Sequence, residues 1–155
     1  MQPSDRTLII GIGNEYRGDD AVGLHVAREL AKLDLEGCVV KESPGEGTYL
    51  LNCWEGYRNV IIIDAVKSLS APGNIQRIDA TSHELPHDWV HQSAHSVSLA
   101  EAIKLSRALE TLPDSLVIYG IEGTNFDPGE ELSDPVSRAA GELVSTILDD
   151  IRSRR

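Results

Sequence analysis

Three stretches of this chain are apolar on successive residues rather than on alternate ones: TLIIGIG at 7–13, NVIIIDA at 59–65 and LVIYGIEG at 116–123. A strand with one face in water alternates, whereas a continuous Val/Ile/Leu run needs apolar cover on both faces. That is the condition of a strand inside a parallel sheet with helices above and below. CVVKE at 38–42 and NIQRID at 74–79 share the Val/Ile enrichment and turn-forming flanks and read as two further strands.

The intervening segments carry helical period. Val22, Val26, Leu30 and Leu33 share one face of a helix expected from about 20 to 33, and GTYLLNCW at 47–54 suits a shorter one. Leu99, Ala102, Ile103 and Leu109 mark a third helix after QSAH. The last helix has the longest stripe, Val136, Ala140, Leu143, Val144, Ile147, Leu148 and Ile151, with Asp134 as its cap and Pro135 at the first helical position. Strands alternating with helices imply right-handed crossovers. The expectation is an α/β fold: one domain over 1–155, a three-layer αβα sandwich around a mostly parallel, about five-stranded twisted sheet. Residues 66–94 are the least regular stretch and should hold one edge strand inside a long excursion.

Twenty-five Asp and Glu against 14 Lys and Arg give a formal charge of -11. A field of that sign repels phosphate backbones and anionic headgroups, so neither nucleic acid nor a membrane is an expected partner. A cation, a metal or a basic peptide suits it better. No run approaches the ~20 apolar residues of a bilayer span, and MQPSDRTLII lacks the basic-then-apolar pattern of an export signal. Cys38 and Cys53 make no disulfide framework and read as core residues of a cytoplasmic protein.

The segment GIGNEYRGDD at 11–20 begins like a dinucleotide-binding turn, lying between a strand and a helix. The third glycine of that fingerprint would fall at Tyr16, and Asp19 and Asp20 would confront a pyrophosphate. Gly11, Gly13 and Asn14, with Gly23 beyond, are better read as shaping a tight turn that delivers the two aspartates to the carboxyl edge of the sheet. One of the pair can cap the helix, which leaves the other for a ligand. Asp64, closing the apolar run VIIID, should project at the same edge, and His95 stands before the third helix. Two carboxylates and an imidazole form a set that a borderline divalent ion such as zinc or nickel accepts, with positions open for substrate or water.

HELPH at 83–87 spells the zinc-protease pattern H-E-x-x-H, but that pattern works only on a helix, and Pro86 lies inside it. It reads as a histidine-rich loop. No G-x-S-x-G elbow or P-loop is present.

GIGNEYRGDDAVG, EGTYLL with VIIIDAV, SAHSVSLAEAI and VIYGIEGTNFDPGEELSDPV, in that order, resemble the successive blocks of the hydrogenase maturation endopeptidases. The resemblance implies an endopeptidase that removes the carboxyl-terminal extension of a [NiFe]-hydrogenase large-subunit precursor after nickel insertion. Its metal-contacting positions fall on Asp20, Asp64 and His95, with Asp19 as the substitute for Asp20, where some members carry a longer glutamate. It further implies nickel supplied by the substrate, with zinc or cadmium as a stand-in in the isolated protein, and it marks no attacking nucleophile. Ala21 and Gly123 stand where a glycine and a proline are frequent. The competing reading of the same ligands is a non-enzymatic nickel carrier or chaperone in metalloenzyme assembly. A flavodoxin-like cofactor binder is disfavoured by the acid-lined turn.

Overall fold

The computed structural model describes residues 2, 5–86, 88–89, 94–129 and 131–153, with the backbone alone for 94–98. Five strands form one sheet: β1 (Thr7–Ile12), β2 (Cys38–Ser43), β3 (Asn59–Val66), β4 (Ile75–Asp79) and β5 (Ser115–Glu122). Their order is β2-β1-β3-β5-β4, parallel throughout except for the edge strand β4, which runs antiparallel to β5. The connecting helices are α1 (Val22–Lys32), preceded by a short 3-10 turn at Gly18–Ala21, then α2 (Gly47–Trp54), α3 (Ala94–Ala108) and α4 (Asp134–Ser153).

The continuous apolar runs are continuous because each strand feeds two cores. Leu8, Ile10, Ile62 and Ile118 face α2 and α3, where Trp54 and Ile103 meet them. Ile9, Ile61, Ile63 and Val117 face α1 and α4, against Val26, Leu30, Leu143 and Ile147. Cys53 is buried in the first core and Cys38 packs at the margin of the second, both as free thiols. Among the described residues no helix is long and apolar enough to cross a membrane.

Three expectations are corrected at element ends. Leu33 caps α1 from outside and is half exposed, because Leu24 and Ala27 complete the buried face in its place. Leu109 lies beyond the end of α3 and faces solvent, where Glu110 turns into the left-handed region at φ 58°. Inside α3 the fully buried Ser106 takes the position a hydrophobe would fill, because its hydroxyl accepts the Trp54 indole N–H at 2.9 Å. The third correction concerns Asp64, which does not close its strand, since β3 continues to Val66.

Helix α1 lies unusually close to the sheet. A β-carbon on Gly23 would overlap the carbonyl oxygens of Ile12 and Ile63, and one on Gly11 would overlap that of Gly23. The helix start is thereby pressed into the seam between β1 and β3, a contact that only hydrogen side chains permit. Gly23→Ala should therefore lower stability by about 2–3 kcal/mol despite alanine's better helix propensity. Thermal unfolding should show a fall of roughly 5–10 °C in Tm, and an unchanged Tm would refute the close approach.

At the exit of β4, Asp79 accepts hydrogen bonds from the Thr81 hydroxyl and amide, and these hold its carboxyl below the usual carboxylate range. A depressed folded-state value contributes stability that is present above the unfolded value near 4 and is lost as pH falls through the folded one. The stability gap between the wild type and Asp79→Asn, measured by urea unfolding, should be constant at neutral pH and close below about pH 4.

Candidate active site

Strand β1 leads to β2 on one side of the sheet, while β3 leads toward β5 on the other, so the crevice between β1 and β3 is the point where connections diverge. Ligands of open α/β sheets bind at such a point, outside the carboxyl ends of the strands. The two aspartates of the expected set approach this end of the sheet from separate elements, and of the two only Asp20 lines the groove there. Gly11 pairs in register with Ile63, so Asp64 stands level with Ile12, the last residue of β1. Asp20 lies three residues before Gly23, which is pressed against Ile12 at the end of β1 and Ile63 within β3.

The turn between β1 and α1 is built around close backbone contact. A β-carbon on Gly13 would overlap the carbonyl oxygen of Asp20, and the Gly13 amide donates to the Ser43 carbonyl at 3.0 Å. Asn14 accepts the Tyr16 amide on its side-chain oxygen at 2.9 Å, which turns the chain toward the 3-10 segment. The glycines serve chain approach, and the segment presents carboxylates where a phosphate loop presents amides.

Asp19 and Asp20 are adjacent in sequence and have different surroundings. Asp19 is fully buried. Its Oδ2 accepts the Thr124 amide at 2.9 Å, the Asn125 amide at 3.0 Å and the Ser133 hydroxyl at 2.9 Å, while Oδ1 accepts the Ser133 amide at 2.7 Å. Its own amide donates to the Asn125 carbonyl at 2.7 Å. Asp19 is thus committed to tying the β1–α1 turn to the loop between β5 and α4. Asp20 is half-buried and lines a groove of about 850 Å3 together with Gly13, Tyr16, Arg17, Lys67 and Phe126.

Asp64 is 1% exposed. It alternates with Ile63 and Ala65, which face α1 and α4, and therefore lies on the side of α2 and α3. Its register partner on β5 is Gly120, which the Trp89 ring covers so closely that a β-carbon there would lie 2.5 Å from Cη2. His95 is the second residue of α3, on that same side, but its side chain lies outside the described residues. Among the described residues no three His, Cys, Asp or Glu side chains form a group able to hold a metal ion. The HELPH segment is not helical over 83–86; His83 and Glu84 are exposed, and His87 and His91 lie outside the described residues.

Several residues at the site carry no sequence signal. Arg28 of α1 clasps Glu42 of β2 through two hydrogen bonds of 2.9 and 3.1 Å and reaches Glu15 at 3.2 Å. The bonds to Glu42, then to Glu15, raise the guanidinium pKa further, with partial burial opposing. These groups are about two-fifths exposed, so the network is worth at most about 1 kcal/mol. Glu122, buried at the end of β5, accepts the Ser68 amide at 3.0 Å and its hydroxyl at 2.6 Å. Its partner comes from 54 positions earlier, a pairing that no local pattern announces.

A mostly parallel five-stranded sheet flanked by helices, with a groove beyond the end of β1, defines an α/β protein. A family model for hydrogenase maturation proteases matches residues 24–150. The chain belongs to the hydrogenase maturation protease family and is accordingly a hydrolase of the endopeptidase type. A Methanocaldococcus jannaschii relative named as a hydrogenase maturation protease is 32% identical over 152 residues, covering 94% of this chain and 96% of its own. The [NiFe] hydrogenase maturation protease HybD of Thermococcus kodakarensis superposes with a TM-score of 0.70 at 25% identity, over 93% of this chain and 97% of that one. An Escherichia coli endopeptidase solved in solution shares the fold at a TM-score of 0.85 and 21% identity, over 96% and 93% of the two chains.

The Asp19 geometry yields a direct test. Asp19→Ala leaves three amides and a hydroxyl without their acceptor and should cost about 3–5 kcal/mol, lowering Tm by on the order of 10 °C. Asp19→Asn keeps one acceptor oxygen and should fall between. A variant that melts with the wild type by scanning calorimetry would show that this bridge does not hold the two loops together.

Proposed function

We propose that this chain removes the carboxyl-terminal extension of a [NiFe]-hydrogenase large-subunit precursor, and that it recognises the precursor by the nickel already inserted there. What supports this reading is that Asp20 lines the groove beyond the end of β1 while Asp64 lies level with Ile12, the last residue of β1, and the first turn of α3, which carries His95, is on the side of the sheet that Asp64 faces. Two carboxylates and an imidazole match the donor preference of a borderline divalent ion.

In this reading the nickel is part of the substrate. Asp20, Asp64 and His95 take up coordination positions that the precursor leaves open, and the extension is laid into the groove beside Asp20. Asp19 has no part in ligation, because both of its oxygens already accept hydrogen bonds. The precursor's metal, held between the two proteins, can polarise the scissile carbonyl or lower the pKa of a bound water. The chain supplies the fixed edge against which the peptide bond is aligned, and alignment alone contributes several kcal/mol to such a step.

Asp20→Asn and Asp64→Asn preserve side-chain volume while removing the anionic oxygen. Changes that merely reorient a metal ligand already cost 10–100-fold, so each variant should slow processing by at least about 100-fold with Tm near that of the wild type. Mass spectrometry of nickel-loaded precursor, followed for loss of the extension, reads the rate directly. Normal cleavage by both variants would overturn the assignment. Tight nickel retention by the isolated protein with the precursor left at full length would identify a carrier instead.

A further inference from the structure

The groove beside Asp20 holds two cations that the fold does not neutralise. Arg28 is clasped by Glu15 and Glu42. Arg17 and Lys67 are exposed on the same groove, and among the described residues neither has an ion pair. Lys67 lies over the Phe126 ring, its Nζ 5.8 Å from the centroid, an arrangement that directs the ammonium while leaving its protons available. Tyr16, 72% exposed, adds a second aromatic surface to the same groove. The groove lining sets Arg17, Arg28 and Lys67 against Glu15, Asp20 and Glu42, and because Arg28 occupies Glu15 and Glu42, Arg17 and Lys67 beside their aromatic neighbours make the groove close to neutral in a chain of net charge -11.

This wall is built by buried groups. Glu122 fixes Ser68, the residue after Lys67, through both its amide and its hydroxyl. The Gly123 amide donates to the Val66 carbonyl at 2.9 Å, on the other side of Lys67. Phe126 follows the Thr124–Asn125 pair that Asp19 holds, and its ring packs where a β-carbon on Gly123 would stand, 2.5 Å from Cζ. Two buried carboxylates therefore set the cation and the ring that face the groove.

We infer that Arg17, Lys67 and Phe126, with Tyr16, form a specificity subsite for the precursor's extension, which takes an Asp or Glu side chain between the two cations and an adjacent apolar side chain on the aromatic rings. The inference rests on the proteolytic reading of Asp20 and Asp64 and names the chemistry of the segment laid beside them. The chain's net charge opposes an acidic segment in general, so attraction confined to Arg17 and Lys67 selects both the segment and its register.

The test uses three synthetic peptides with amidated carboxyl ends, identical except for a central Asp, Asn or Lys next to a leucine, titrated calorimetrically into the full-length protein. One charge-assisted contact corresponds to about 10-fold in Kd, so the Asp peptide should bind at least that much tighter than the Lys peptide. Lys67→Glu should invert the order, while Lys104→Glu, the same charge change on the exposed face of α3, should leave it as it is. With nickel-loaded precursor whose extension carries the same three residues, Lys67→Glu should raise KM for the acidic extension and lower it for the basic one, with kcat little changed. Equal binding of the three peptides, or a KM shift independent of the residue in the extension, would overturn the subsite even if every precursor is cleaved. Discrimination among peptides with no precursor cleaved would leave the subsite standing and sink the proteolytic reading instead.

Discussion

A single buried carboxylate couples the two loops that make this site. Asp19 draws the amides of Thr124, Asn125 and Ser133 onto itself from more than a hundred positions away, so the turn after β1 and the loop after β5 have one relative position. The short 3-10 geometry of Gly18–Ala21 explains why its neighbour is left to the groove. At about three residues per turn, adjacent side chains diverge by roughly a third of a revolution, so a pair of aspartates cannot both point inward. The first is consumed by structure, and the second is presented at the edge. The acidic pair is thus an anchor followed by a carboxylate at the groove, and its order along the chain is fixed by which way the turn faces.

The glycines complete the same arrangement from below. In a dinucleotide-binding fold, glycines in this place bring backbone amides near a pyrophosphate. Here Gly11, Gly13 and Gly23 bring one part of the protein against another: helix against strand, and the turn carrying Asp20 against the end of β1. Close approach is the shared requirement, and what is approached differs. Because the helix start lies on the β1/β3 seam, the residues just before it stand over the switch point, where the level register of Ile12 and Asp64 puts the second carboxylate. The sheet's topology, rather than any local motif, brings two aspartates 44 positions apart to the same end of β1.

That distinction accounts for what the sequence made legible. The doubly apolar runs, the helix stripes and the edge strand inside 66–94 follow from local period and burial, and each is found within a residue or two of its expected bounds, whereas the antiparallel direction of that edge strand is set by its pairing with β5. Leu33 and Leu109 misled because periodicity continues past a helix end into residues that solvent reaches. Asp64 read as a strand terminus because a carboxylate inside an apolar run looks like a stop. In fact β3 and β5 run on together past the end of β1, and the residue sits at an edge of β1 but inside its own strand. The roles of Glu122, Lys67 and Phe126 were not legible at all, since each depends on a partner brought near only by the closed fold.

The site accordingly divides into a part that would recognise an ion and a part that would recognise a chain. Ligands for a divalent ion discriminate poorly among proteins that carry one, because the ion is the same wherever it is held. A groove discriminates by sequence but holds a short extended peptide weakly, since ordering such a segment offsets much of what its contacts gain. Joined on one rigid edge, the two act as linked modules in which engagement of either raises the effective concentration of the other. The buried bridges of Asp19 and Glu122 then matter for selectivity as well as stability. They tie Lys67 and Phe126 to the turn that carries Asp20, so on the proposed reading an extension in the wrong register would lose its charge contact even with the metal held.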